Sequence, residues 1–378
     1  MIKALILIAR IIFGLVFIFS GFVKAIDPLG TAYKLQDYFM AFEMEWLMNT
    51  ALPISIIMNA MEFIIGLAVL LGLKMKYSAW GGLLFMLFFT SLTLYIAIAN
   101  PVPDCGCFGD AIVISNWSTF YKNIVFLAAA VFLFYKRKEI KPLLGEKRDW
   151  VLVSFIGLFI FGLSVYCLRN LPIIDFRPWK VGNNIPELMK EKKPAEIHIN
   201  FLYKNSETGE EKELSQQQIM NEGTPQAPLW TFVGRKEKII DPGMPAIIDN
   251  FQILDEFGDD YAEYYLEIEG YVFFVIAYDL NKTNKRAIVN KINNIALSLQ
   301  ENNIPIILLT GSTFQQIEDF KKEYDITYPI YQSDEISLKT IIRSNPGLLL
   351  MQGGVVIKKW AYRNIENFDK ISRKYLAE

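Results

Sequence analysis

Residues 4–23 read ALILIARIIFGLVFIFSGFV, twenty residues with a single charge, Arg10. A helix crossing about 30 Å of hydrocarbon needs about 20 predominantly apolar residues, because the bilayer core holds no water to satisfy an open backbone. The stretch predicts a transmembrane helix. A cleaved leader is the competing reading, since Lys3 precedes the run and Val23-Lys24-Ala25 is a passable cleavage site; Arg10 inside the run weighs against it. Four further apolar stretches follow, Leu52 to Leu73, Tyr77 to Ile98, Thr119 to Tyr135 and Trp150 to Leu168, each read as another span.

The apolar runs stop there, and the charges tell the same story. Of 378 residues, 52% are hydrophobic and 21% charged, with mean hydropathy +0.25. Residues 1–168 hold 13 Lys and Arg and 10 Asp and Glu, whereas 169–378 hold 25 and 30, so a membrane part precedes a soluble part. A net charge of -2 offers no basic field for a phosphate backbone, so nucleic acid is not an expected partner. Aromatic residues at 14% and the lack of low-complexity tracts argue for ordered domains. The expected division is 1–142 as a four-helix membrane domain, 150–168 as a fifth transmembrane helix, 180–242 as a small β-rich unit, and 243–378 as an α/β domain.

Loop charges orient the spans, because cytoplasmic connections retain Lys and Arg. Nine such residues fall on the side of Lys3 (Lys74, Lys76 and the 136–148 cluster among them), and three, Lys24, Lys34 and Lys122, on the other. The N-terminus is therefore expected in the cytoplasm, and five spans place the soluble part outside, in the periplasm of a bacterium with two membranes. Arg10 and Glu62 lie deep in their spans, where charge is costly and normally partnered. Counted from the inner ends of their helices they differ in depth by about 6 Å, so they are expected to pair across the first two spans, as a structural pair or as part of a proton or quinone site.

The chain has three cysteines. Cys105 and Cys107 stand in the outer loop Asn100-Pro-Val-Pro-Asp-Cys-Gly-Cys-Phe-Gly-Asp110, and Cys167 lies near the outer end of the fifth span. Three readings stay open: a reactive dithiol/disulfide at Cys105 and Cys107, a static bridge of one of them to Cys167, or a metal site. A ring closed between residues i and i+2 is tight, and Gly106 supplies the backbone freedom it needs. The metal reading lacks ligands, since His198 is the only histidine and belongs to the soluble part.

These residues resemble the DoxX/MauE group of bacterial membrane proteins. The resemblance rests on Arg10, Gly14, Ser20-Gly21-Phe22-Val23-Lys24, Asp27-Pro28, Glu62, Cys105-Gly106-Cys107-Phe108-Gly109-Asp110, Trp117 and Asn123. It covers residues 1–142 as a four-helix unit, and the chain with its soluble part is similar to a Bacteroidota subfamily of DoxX proteins. The MauE branch is linked to methylamine utilisation and to disulfide chemistry in the maturation of a periplasmic enzyme, which implies a redox setting.

In the soluble part, Ile197 to Tyr203 alternates as a strand and Trp230 to Val233 reads as another. From Gly243 the expected order is strand 271–278, helix 283–300, strand 304–310, helix 314–324, helix 335–343, a hairpin 348–360 turning at Gly353-Gly354, and helix 365–375. That order resembles the thioredoxin-like fold, with Pro346 at the family's cis-proline position beside its groove. Asp279-Leu280-Asn281-Lys282 stands where redox-active members carry cysteine, so thiol chemistry is not expected of this domain.

Three functions are weighed. One is a membrane thiol-disulfide redox protein using Cys105 and Cys107, with Cys167 as a resolving or third thiol, an envelope client docked on the soluble domain and a quinone between the helices as electron partner. The second is a non-catalytic scaffold or accessory subunit of an envelope complex, whose cysteines brace the loop. The third, a small-solute transporter, has no repeat symmetry to support it.

Overall fold

The computed structural model describes residues 1–141, 146–194, 196–225, 228–241 and 243–376, and the expected boundaries at 142 and 242 lie outside the described residues. Among the described residues, five helices are long and apolar enough to cross a membrane: α1 (Ile2–Ile26), α3 (Ala51–Leu71, extended by a 3₁₀ turn Glu45–Thr50), α4 (Met75–Ala99), α5 (Asn116–Lys136) and α6 (Glu146–Asn170). At 1.5 Å per residue, the 25 residues of α1 reach about 38 Å. Leu5, Leu84, Phe155 and Leu158 are among many large apolar side chains left exposed on these helices. In water that would be a liability; in a bilayer it is ordinary solvent contact.

Between the first two spans, on the side of Lys24 and Lys34, the chain forms a further helix, α2 (Pro28–Ala41), and not the open loop expected there. Asp27 caps it, accepting a hydrogen bond from the Gly30 N–H at 3.1 Å, and Pro28 fills the first turn, where its missing N–H is no loss. Thr31, Ala32, Tyr38 and Phe39 are buried.

Helix α3 is central, packing on α1, α4 and α6. Its contact with α1 is close because both helices carry glycine there. A Cβ on Gly66 would stand 2.7 Å from Phe17 Cβ, and one on Gly14 would stand 2.7 Å from Leu70 Cβ. Without a hydrophobic force between helices in lipid, such close approach supplies the packing contacts that hold the pair.

The soluble part holds two sheets. Strands β1 (Glu196–Asn205), β2 (Glu211–Ser215) and β3 (Trp230–Asp241) form an antiparallel sheet in the order β2-β1-β3. The second sheet has the order β6-β5-β4-β7-β8, from β4 (Tyr271–Ile276), β5 (Ile306–Thr310), β6 (Ile330–Gln332), β7 (Gly347–Gln352) and β8 (Val355–Ala361). β4, β5 and β6 run parallel, and β7 and β8 close the sheet as an antiparallel hairpin. Both faces are covered. Phe273, Val275, Leu308, Leu348 and Leu350 pack under the helix Asn293–Glu301, while Phe274, Ile276, Leu309, Leu349 and Met351 pack on the opposite face. Double-sided burial explains why these strands read as continuous apolar runs without alternation.

Trp179 and Ile185, 1% and 0% exposed, also belong to that second face. The segment that follows α6 thus feeds the core of the five-stranded sheet, although the sequence reading began a separate β-rich unit at residue 180. Inside it, Lys359 of β8 bonds Asp175 at 2.7 Å, and Arg177 bonds the same carboxylate at 2.8 and 3.0 Å.

Candidate functional site

Helix α4 ends at Asn100, whose φ of +47° turns the chain out of the helix, and α5 begins at Asn116 under a Ser115 cap. The loop between them carries Cys105-Gly106-Cys107. The two cysteines are set in sulfur-to-sulfur contact, with Cα atoms 5.6 Å apart. Gly106 between them has φ +65°, a left-handed conformation that a side chain would strain.

The bundle holds this tripeptide by its backbone. Tyr38 Oη of α2 donates to the Cys105 carbonyl at 2.9 Å, and Ser20 Oγ of α1 donates to the Cys107 carbonyl at 2.6 Å. The Gly106 N–H donates to Asp104 Oδ1 at 2.9 Å, and Lys34 bonds the other Asp104 oxygen at 2.8 Å. Phe108, next in sequence, lies under the Lys122 ammonium at 4.2 Å and beside Phe19 at 5.8 Å.

Cys105, Gly106 and Cys107 form part of the wall of a cavity of about 1100 Å³. Below them the wall is polar, with Ser20, Lys24, Glu62 and Lys122, and further into the bundle it is apolar, with Phe17, Phe85, Met86, Phe89 and Phe126. Above, part of the wall comes from the soluble domain, through Tyr278, Lys282, Lys339 and Arg343. The site therefore lies at the seam between the membrane bundle and the soluble domain.

That seam is ionic at its centre. Arg343, at the end of the helix Glu335–Ile341 and 6% exposed, bonds both Asp27 oxygens at 3.0 and 2.8 Å and reaches Asp110 at 3.0 Å. Burial works against its charge, but Asp27 and Asp110 outweigh this and hold the guanidinium above its ordinary range. Tyr33 of α2 donates to Tyr278 Oη at 3.4 Å, and the Lys339 ammonium stands 4.7 Å over the Tyr33 ring. Burial raises the titration of both phenols, so each stays a neutral hydrogen-bonding group.

The expected Arg10–Glu62 pair does not form. Arg10 donates to the carbonyls of Val69 and Leu70 at 3.1 and 2.9 Å, at the end of α3, while Glu62 is paired with Lys24, both side chains 7% exposed. The physical reason is the register of two antiparallel helices: Gly21 lies against Phe63 and Gly14 against Leu70. Lys24, one turn beyond Gly21, then faces Glu62, and Arg10, one turn before Gly14, faces the last turn of α3. Depth alone could not reveal this, but the glycine spacing could.

Cys167 is free, 2% exposed in α6 and outside the cavity wall, so the expected alternative of a bridge from it to Cys105 or Cys107 does not form. Pro346 is also off the wall, although Arg343, three residues before it, is central; the Asn345–Pro346 bond is cis. Sequence reading missed Tyr33, Tyr38, Lys122 and Arg343 as site residues. Only Asp27-Pro28, the signature of a capped helix start, could have shown that α2 exists to carry the two tyrosines.

No curated protein and no solved structure matches the chain. Residues 2–136 match the family model described as methylamine utilisation protein MauE, a match that includes α1 to α5 and the Cys105–Cys107 loop and ends before α6 and the soluble domain.

Proposed function

We propose that the chain is a membrane thiol-disulfide redox protein in which Cys105 and Cys107 alternate between disulfide and dithiol at the outer face of the bundle. The observation that carries this reading is the placement of the Cys-Gly-Cys string on a cavity wall, with its backbone clamped by Ser20 and Tyr38 and its sulfurs in mutual contact. A bridge meant only to brace a loop gains nothing from an adjoining cavity. The similarity to MauE supports a membrane accessory role. Loop charge supports a cytoplasmic N-terminus and a soluble domain in the periplasm. The order β6-β5-β4-β7-β8 supports a thioredoxin-like reading of the 243–378 domain, in which Asp279-Leu280-Asn281-Lys282 stands in place of the redox motif, with Tyr278 and Lys282 on the wall of the same cavity as the cysteines. In this reading the cysteines of the bundle serve where the domain has none, and an envelope protein is the client.

One observation favours a second reading. The soluble domain is seated on the cysteine loop through Arg343, as a static accessory subunit would be. Replacing Cys105 and Cys107 with Ser separates the two. The redox reading expects loss of function in cells with unchanged protein level, whereas a bracing bridge across so short a loop expects a fall in stability of about 1–2 kcal/mol and a parallel drop in level.

A further inference from the structure

A dithiol that becomes a disulfide must hand two electrons and two protons to another molecule. Cys167 is the one cysteine besides this pair and is off the cavity wall, so no second internal disulfide can take them. The wall itself indicates where the acceptor comes from. Its outer end is lined by the soluble domain, through Tyr278, Lys339 and Arg343, and is not sealed, since Ile336 on the wall is 72% exposed. Its membrane side is not closed: Phe88, in the middle of α4, lines the cavity and is 63% exposed. A mid-span residue that is both on the wall and exposed marks an opening toward hydrocarbon, through which a lipid-soluble molecule can enter.

We propose that the cavity binds a lipid-soluble quinone that reoxidises the Cys105–Cys107 dithiol, an inference that rests on the redox reading above. The volume, about 1100 Å³, exceeds the roughly 300–1,000 Å³ of common ligand pockets, enough for a ring with part of an isoprenoid tail. The aromatic side chains of Phe85, Phe89 and Phe126 offer faces and edges to a flat ring. Beside them, the Lys122 ammonium is held over Phe108, directly after Cys107, and supplies a charged donor for a quinone oxygen. The step balances: the two thiols give up two electrons and two protons, the sulfur–sulfur bond forms, and the two quinone oxygens take up the protons to give the quinol. A fatty acyl chain would fill the apolar wall equally well but could not accept electrons, and the test distinguishes the two.

The full chain is purified into phosphatidylcholine nanodiscs, reduced, freed of reductant and mixed with decylubiquinone without oxygen, while quinol formation and free thiols are followed together. The expected result is one quinol per disulfide formed, none from the variant with Cys105 and Cys107 replaced by Ser. Lys122→Gln is expected to slow the reaction about tenfold, the worth of one charge-assisted hydrogen bond, and Lys122→Arg to restore most of the rate. Wild-type speed in Lys122→Gln would overturn the assigned donor. A dithiol oxidised by glutathione disulfide but not by decylubiquinone would overturn the quinone while leaving the redox reading intact. A dithiol oxidised by neither would remove the redox reading itself. Quinone that binds, yields no quinol and is displaced by oleate would identify a lipid cavity and overturn the proposal.

Discussion

Gly106 sits between the two cysteines at φ +65°, and a Cβ there would stand 3.2 Å from Lys34 Cγ, the side chain that anchors Asp104. Gly106→Ala therefore meets backbone strain and crowding together, at a cost of about 1–2 kcal/mol to the loop. The expected outcome is a smaller fraction of protein with Cys105 and Cys107 bridged at equilibrium, read by differential alkylation, with little change in overall thermal stability. At this scale the sequence was informative about kinds of residue and silent about partners. Glu62 was visible as a charge too deep to be solvated, and the Cys-Gly-Cys string as a candidate for thiol chemistry. That Glu62 meets Lys24 instead of Arg10 depends on helix rotation and register, which follow from the Gly14, Gly21 and Gly66 contacts and not from depth.

Among the elements, the segment that joins α6 to the soluble domain is tied to β8 by Lys359, which is 8% exposed and bonded to Asp175. Burial, reinforced by Arg177 and opposed by Asp175, pulls the Lys359 ammonium down to about 7. Unfolded, the same group titrates near 10.4, so between about pH 7 and 10 the unfolded chain binds more protons and stability rises with pH, at most about 1.4 kcal/mol per unit. Below that window both states are protonated and the slope vanishes. Thermal unfolding in detergent from pH 6 to 9 should show this rise in the wild type and lose it in Lys359→Met; a slope that survives the substitution would reassign it to another group. The strands of the five-stranded sheet were legible because double-sided burial makes runs such as YVFFVI and IILLT. Helix α2 was not, because fourteen residues of mixed polarity between two spans look like a loop unless the Asp27-Pro28 cap is given its weight. β2, with the sequence EKELS, carries no strand pattern at all, and its pairing is set by β1 alongside it.

For the whole molecule, charge density alone separated a membrane part from a soluble part, and that division is what the helices and sheets display. What it could not show is that the two parts meet over the cysteines, since the contact joins Asp27 and Arg343 across 316 residues of sequence. Arg343→Met leaves Asp27 in the seam without its cation, and breaking a buried pair from one side costs about 3–5 kcal/mol. The expected outcome is release of the soluble domain with the bundle still folded, seen as faster hydrogen exchange across residues 100–115 and quicker alkylation of reduced Cys105 and Cys107. Unchanged exchange there would mean that the seam is held elsewhere. The account as a whole turns on whether the Cys105–Cys107 pair is a working redox couple, and the most direct measurement is its titration in native membranes against graded ratios of reduced and oxidised glutathione, quenched by alkylation. The account predicts one reversible two-electron transition of this pair, unaltered in Cys167→Ala; a pair that keeps a single state at every ratio would contradict it.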